Sequence, residues 1–219
     1  MKDIKEVYPG IHQISSYNES VNFTVNQYLI CGESPTLIHS GTSKDSHELI
    51  EVIDSLLCGR DLRFLFASHF ESDECGATSI LLERYREMTV LCSETTGRQL
   101  AGFGINESFL IQTEDKAFRA GDLDFRFIDY PSEVHMWNGL IALEATRSIL
   151  FSSDMFVRFG RPDRNNIKSN WSSEIASLAK DRFIPIDKLA ILQKKLSPLN
   201  VGLIAPGHGN CIDVLAERE

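Results

Sequence analysis

The chain has 219 residues, with 22 Lys+Arg against 31 Asp+Glu and a formal net charge of −9 at neutral pH. Its apolar content of 42% excludes wholesale disorder, and no run approaches the roughly 18 apolar residues of a membrane helix. The opening MKDIKEVYPG lacks the apolar stretch of a secretory signal. The acidic balance and scattered basic residues argue against nucleic-acid or anionic-membrane partners.

A soluble, cytoplasmic chain with no membrane insertion is therefore expected. The five cysteines (Cys31, Cys58, Cys75, Cys92, Cys211) form no C-x-x-C pair and read as reduced, packed thiols. No low-complexity tract or linker divides the sequence, so residues 1–219 are read as one domain.

In chain order, strands are expected at Ile11–Ser15, Phe23–Cys31 and Thr36–His39, with Gly32–Pro35 closing a hairpin between the last two. Leu49, Ile50, Ile53, Leu56 and Leu57 then recur at helix spacing within Ser43–Leu57, with Ser43 as N-cap. Leu62–Ser68 reads as a buried strand, followed by a helix from Cys75–Gly76 through Tyr85, a strand at Thr89–Cys92 and a helix at Ser93–Phe103. Strand-like stretches follow at Phe109–Ile111, Lys116–Phe118, Leu123–Ile128, Gly139–Ala145 and Ser148–Ser152. Helices at Ser172–Ala179 and Asp187–Leu196 precede a last buried strand at Val201–Ala205. Strands in groups, each followed by helices, predict an α/β (α+β) fold: an αββα sandwich of two mixed β-sheets with outer helices.

Where these apolar strands stop, metal-ligand types appear. His69-Phe70-Glu71-Ser72-Asp73-Glu74 packs four oxygen or nitrogen donors into six positions, and His135, Asp154 and His208 stand at later strand ends. Three imidazoles and four carboxylates suit two metal ions sharing one carboxylate. Four carboxylates carry −4, which cancels two divalent ions and weakens the acidification of bound water that a hydrolase needs. Hard carboxylate donors favour iron instead.

The order H-x-E-x-D-E, His135, Asp154 after an apolar strand, and Pro206-Gly207-His208-Gly209 resembles the metallo-β-lactamase superfamily, in particular its flavodiiron branch. Asn26–Ile30, Thr36–Gly41 and Phe118–Asp122 resemble that fold's opening hairpin and mid-domain turn. Hydrolytic members carry H-x-H-x-D-H and bind zinc, whereas Glu71 matches the flavodiiron pattern. Glu74, where both groups usually have His, resembles the oxygen-binding diiron proteins.

The resemblance implies that His69, Glu71 and His135 bind one iron and that Asp73, Glu74 and His208 bind the other, with Asp154 bridging. It implies a non-haem diiron protein binding O2, or NO in its place, and acting as an oxygen sensor with a signalling partner; a homodimer is compatible with it. Two alternatives are carried: an O2/NO reductase needing a separate flavin-containing electron donor, and a dinuclear zinc hydrolase of esters, thioesters or lactones. No Gly-rich phosphate loop occurs in the sequence, so no flavin is expected in this chain. His39-Ser40-Gly41 departs from the superfamily's Asp-x-Gly, and His39 is expected to be a hydrogen-bonded structural histidine. Trp137, Tyr85, Tyr130 and Phe103 are candidates to wall a pocket, among which the sequence does not choose.

Overall fold

The apolar runs of the sequence alternate between two cores. In the strand Phe64–Ala67, Leu65 and Ala67 pack with the helices of one face, while Phe66 turns inward against the other sheet. Leu37 and Ile38 divide in the same way, and in the second half so do Leu150 and Phe151, and Ile204 and Ala205. A strand covered on both faces reads as continuous hydrophobicity because each face needs every second residue.

The computed structural model describes residues 2–105, 109–114, 116–131, 138–163, 165–180 and 184–216. Its first sheet runs, in spatial order, β1 (Asp3–Tyr8), β2 (Ile11–Asn18), β3 (Phe23–Ile30), β4 (Thr36–Ile38), β5 (Phe64–Ala67), β6 (Thr89–Cys92) and β7 (Phe109–Ile111). Pairing is antiparallel through β4 and parallel beyond it. The second sheet contains β8 (Ala117–Ala120), β9 (Leu123–Pro131), β10 (Asn138–Glu144), β11 (Ile149–Ser153), β12 (Ile167–Asn170), β13 (Leu203–Pro206) and β14 (Ile212–Leu215). Their spatial order is β12-β14-β13-β11-β10-β9-β8, again mixed.

Helices α1 (Ser46–Leu57), α2 (Ser72–Cys75), α3 (Thr78–Arg84) and α4 (Glu94–Gly102) follow strands of the first sheet. Leu49, Ile53 and Leu57 of α1, Leu81 of α3 and Leu100 of α4 bury that sheet's outer face. Helices α5 (Trp171–Ser177) and α6 (Ile186–Leu196) cover the second through Ile175, Leu192 and Leu196. Between the sheets lie Tyr28, Phe66, Phe125, Phe127, Phe151 and Ala205. The αββα sandwich of two mixed sheets is thus what the chain forms.

Three local expectations are corrected. Ser43 does not cap α1; a 3-10 turn over Ser43–Asp45 comes first, and Asp45 occupies the cap position. The helix expected from Cys75 begins at Ser72 and is broken after Cys75. The break arises because the Ala77 N–H leaves the helix ladder to reach Gly41 O (2.9 Å) and Ser40 Oγ (3.0 Å). Strands β1, β12 and β14 had no counterpart in the sequence reading.

Candidate metal centre

Each described candidate ligand sits just beyond the C-terminal end of a strand, where loops hold side chains on a rigid frame. His69 follows β5, Asp154 follows β11 and His208 follows β13. Glu71 is the extended residue before α2, which carries Asp73 and Glu74. The early start of α2 puts Asp73 and Glu74 on a helical turn instead of in an extended loop. His69 (2% exposed), Glu74 (1%) and His208 (5%) are buried. His135 and Trp137 lie outside the described residues.

The described residues converge as two groups, His69 with Glu71 and Asp154, and Asp73 with Glu74 and His208; within each, the donor atoms lie within 4.8 Å of one another. His69 Nε2 stands 3.1 Å from Glu71 Oε2 and 3.4 Å from Asp154 Oδ2. His208 Nε2 stands 3.3 Å from Asp154 Oδ1 and 3.6 Å from Asp73 Oδ2. Asp154 therefore lies between the groups with one oxygen toward each imidazole. It is aimed there by Ser153, a non-glycine residue in the left-handed region at φ 51.

The imidazoles are held from behind. His208 donates Nδ1–H to Thr24 O at 2.8 Å, so Nε2 is the nitrogen that faces the carboxylates. A backbone carbonyl fixing the tautomer of a ligating histidine is a frequent feature of metal sites. The Nδ1 of His69 faces the hydroxyls of Ser68 (3.1 Å) and Ser153 (3.3 Å), which are 2.7 Å apart. The ring of Phe23 lies against that of His208, with centroids 4.3 Å apart.

The electrostatics are those of a crowded, partly buried acid cluster. Burial, reinforced by Asp73 and Asp154, pushes the Glu74 carboxyl well above the ordinary carboxylate range. Its Oε2 is buried without a hydrogen-bond partner, a costly arrangement that a metal ion would relieve. At His208 burial works to lower the pKa, but Asp154 and Asp73 outweigh it and the net shift is upward. The donors present, imidazole nitrogen and carboxylate oxygen split into two groups, suit a pair of divalent ions.

His39 is 2% exposed and left-handed at φ 65. Its Nε2 finds no hydrogen-bond partner, so the hydrogen-bonded structural histidine expected there is not formed at that atom. Burial first, then the nearby His69, lowers its pKa to about 3. Cys75 is packed as expected, its Sγ donating to Glu71 O at 3.0 Å. Tyr85 bonds Asp54 in the helix layer and Phe103 is 75% exposed, whereas Tyr130 and His69 both lie against Gly139. Sequence reasoning missed Thr24, Ser68 and Ser153. Their one legible signal is polarity inside or at the end of an apolar strand.

The sequence profile of the ODP family beta lactamases matches residues 23–209. The chain belongs to that family. Its fold is that of the flavodiiron core: it superposes on a flavodiiron protein from Giardia intestinalis with a TM-score of 0.75 at 18% identity, covering 96% of this chain and 56% of that one. A rubredoxin oxygen:oxidoreductase from Desulfovibrio gigas gives 0.74 at 17% identity over 97% and 57% of the two chains. An anaerobic nitric oxide reductase flavorubredoxin of Vibrio vulnificus is 22% identical over 145 residues, 65% of this chain and 29% of that protein. The chain spans between about a quarter and a third of the length of the curated relatives it matches. Among the described residues no helix is long and apolar enough to cross a membrane.

Proposed function

We propose that the chain holds two iron ions at the strand-end edge of its sandwich and binds O2 at them. His69 and Glu71, with His135, hold one ion. Asp73, Glu74 and His208 hold the other, and Asp154 bridges. The observation that carries this reading is Asp154, with Oδ2 3.4 Å from His69 Nε2 and Oδ1 3.3 Å from His208 Nε2.

Ferrous ions, when bound, supply the electron density that O2 takes up. The residues supply the setting. Four carboxylates balance the charge of two divalent ions, so little net positive charge remains to acidify water, and hydrolysis is disfavoured. The same hard donors favour the oxidised metal. Glu74 offers a buried carboxylate, and His208 presents Nε2 because Thr24 O takes its Nδ1–H. The names of the flavodiiron and oxygen:oxidoreductase proteins that share the fold are consistent with iron and O2. Reporting O2 to a signalling partner is the role we assign, with reduction through a separate flavin-containing donor as the alternative.

Anaerobic reconstitution with ferrous ion tests the metal assignment. About two irons per chain are expected, as in carboxylate-bridged two-metal sites generally. Asp154→Ala should strip one or both, while His47→Ala, on an exposed helix position, should keep both. Full iron content in Asp154→Ala, or uptake of zinc alone from a mixture of both ions, would contradict the proposal.

A further inference from the structure

The loop that carries His208 has little side-chain packing of its own. Of Pro206-Gly207-His208-Gly209, two residues are glycine, and Gly209 sits at φ 83 with its would-be Cβ 2.0 Å from Arg158 O. Something outside the loop must place the imidazole.

The geometry points to Asn26 as the positioning residue for His208, an inference that rests on the dinuclear reading above. Asn26 is fully buried near the middle of β3, in the sheet opposite His208. Its Nδ2 donates to Pro206 O (3.0 Å) and to Gly209 O (2.8 Å), and its backbone N–H donates to Gly207 O (2.8 Å). Three of the loop's four carbonyls thus end on one residue, and the fourth, His208 O, accepts from Arg158 N at 3.2 Å. Asn26 Oδ1 is itself fixed by the Ser15 hydroxyl at 2.8 Å. Two residues earlier on the same strand, Thr24 O takes the His208 Nδ1 proton.

The carboxamide therefore sets the loop's height over β3, and β3 sets the rotation of the ring. A buried carboxamide costs free energy unless its donors and acceptor are all used, and here they are. The bonds cross from one sheet to the other at the metal centre. Asn26 thereby couples the half of the site on β13 to the frame of the first sheet.

A purely structural tie would cost stability and affect both metal ions alike. A positioning residue should weaken only the ion on Asp73, Glu74 and His208. Asn26→Ala suits the test because each released carbonyl keeps a second donor: Tyr28 OH at 2.8 Å on Pro206 O, and Gln13 Nε2 at 3.1 Å on Gly209 O.

Ferrous ion is titrated anaerobically into the full 219-residue chain, and the two bound irons are resolved by Mössbauer spectroscopy. Asn26→Ala should bind the His208-side iron about tenfold to a hundredfold more weakly, the range for loss of a group that orients a ligand. The His69-side iron should be unchanged. Tyr85→Phe, which deletes only the bond to Asp54 in the helix layer, should lose stability and keep both irons. Wild-type affinity at both sites of Asn26→Ala, or equal weakening of both, overturns the inference alone. Should Asn26→Ala not fold, Asn26→Ser, whose single hydroxyl proton can replace at most one of the two Nδ2 donations, carries the same expectation, and an unchanged His208-side affinity there overturns it equally. A wild-type chain that takes up no iron overturns the dinuclear reading, and this inference with it.

Discussion

Glu74 is a carboxylic acid only 1% exposed, and its burial has a measurable consequence. Its carboxyl, ordinarily near 4.5, is raised by burial and by Asp73 and Asp154. The unfolded chain loses this proton near the ordinary value, while the folded chain keeps it to higher pH. The folded state then binds more protons, so stability of the metal-free chain falls as pH rises through that window. One proton corresponds to a slope of up to about 1.4 kcal/mol per pH unit. Chelated Glu74→Gln should lack this part of the slope and be more stable than chelated wild type at neutral pH by about 1–3 kcal/mol, the cost of an unsatisfied buried group. Urea unfolding of both chains across the acid-to-neutral range measures it. A Glu74→Gln chain less stable than wild type without metal would contradict the assignment of Glu74 as a cation-requiring acid.

At the scale of elements, the loop after β13 is limited by backbone space. Gly209→Ala would place a Cβ 2.0 Å from Arg158 O at φ 83, so both the left-handed strain and the contact oppose it. The strain alone costs about 1–3 kcal/mol, and displacement of Arg158 should disturb the bond from its N–H to His208 O. Lower stability together with weaker iron binding is expected in a melt with and without iron; unchanged melting would show that the loop has slack.

The elements legible in the sequence were those with a strong apolar period. Leu49, Ile53 and Leu57 marked α1, and Leu65-Phe66 marked a strand buried on both faces. The missed β1, β12 and β14 have largely polar or half-exposed residues; β1 and β12 lie at sheet edges, where one neighbour suffices and the hydrophobic pattern fades. Helix α2 was placed late because its four residues, Ser72-Asp73-Glu74-Cys75, are mostly weak helix formers. Its end is set by tertiary bonds, including Ser40 N–H to Glu74 O at 2.8 Å.

At the scale of the whole molecule, the candidate site was more legible than its surroundings. Six of the seven candidate ligands stand among the described residues and all six converge, because strand ends announce themselves where apolar runs meet His, Asp and Glu. The supports were invisible for a physical reason. Thr24, Asn26, Ser68 and Ser153 act through register between two sheets, and no local pattern in one strand reports which carbonyl or hydroxyl faces it from the other. The sandwich brings β5, β11 and β13 to one edge, and only that assembly turns scattered donors into a centre.

The central claim, O2 binding at two irons held at the strand-end edge of the sandwich, is tested most directly by stoichiometry. The chain is loaded anaerobically with ferrous ion, freed of excess metal, and mixed with rising O2 in an oxygen-electrode cell. With one dinuclear site per chain, uptake should saturate at about one O2 per two irons, and added NADH should drive no further consumption. No uptake by the iron-loaded chain would contradict O2 binding, and sustained consumption with NADH alone would contradict the sensor role.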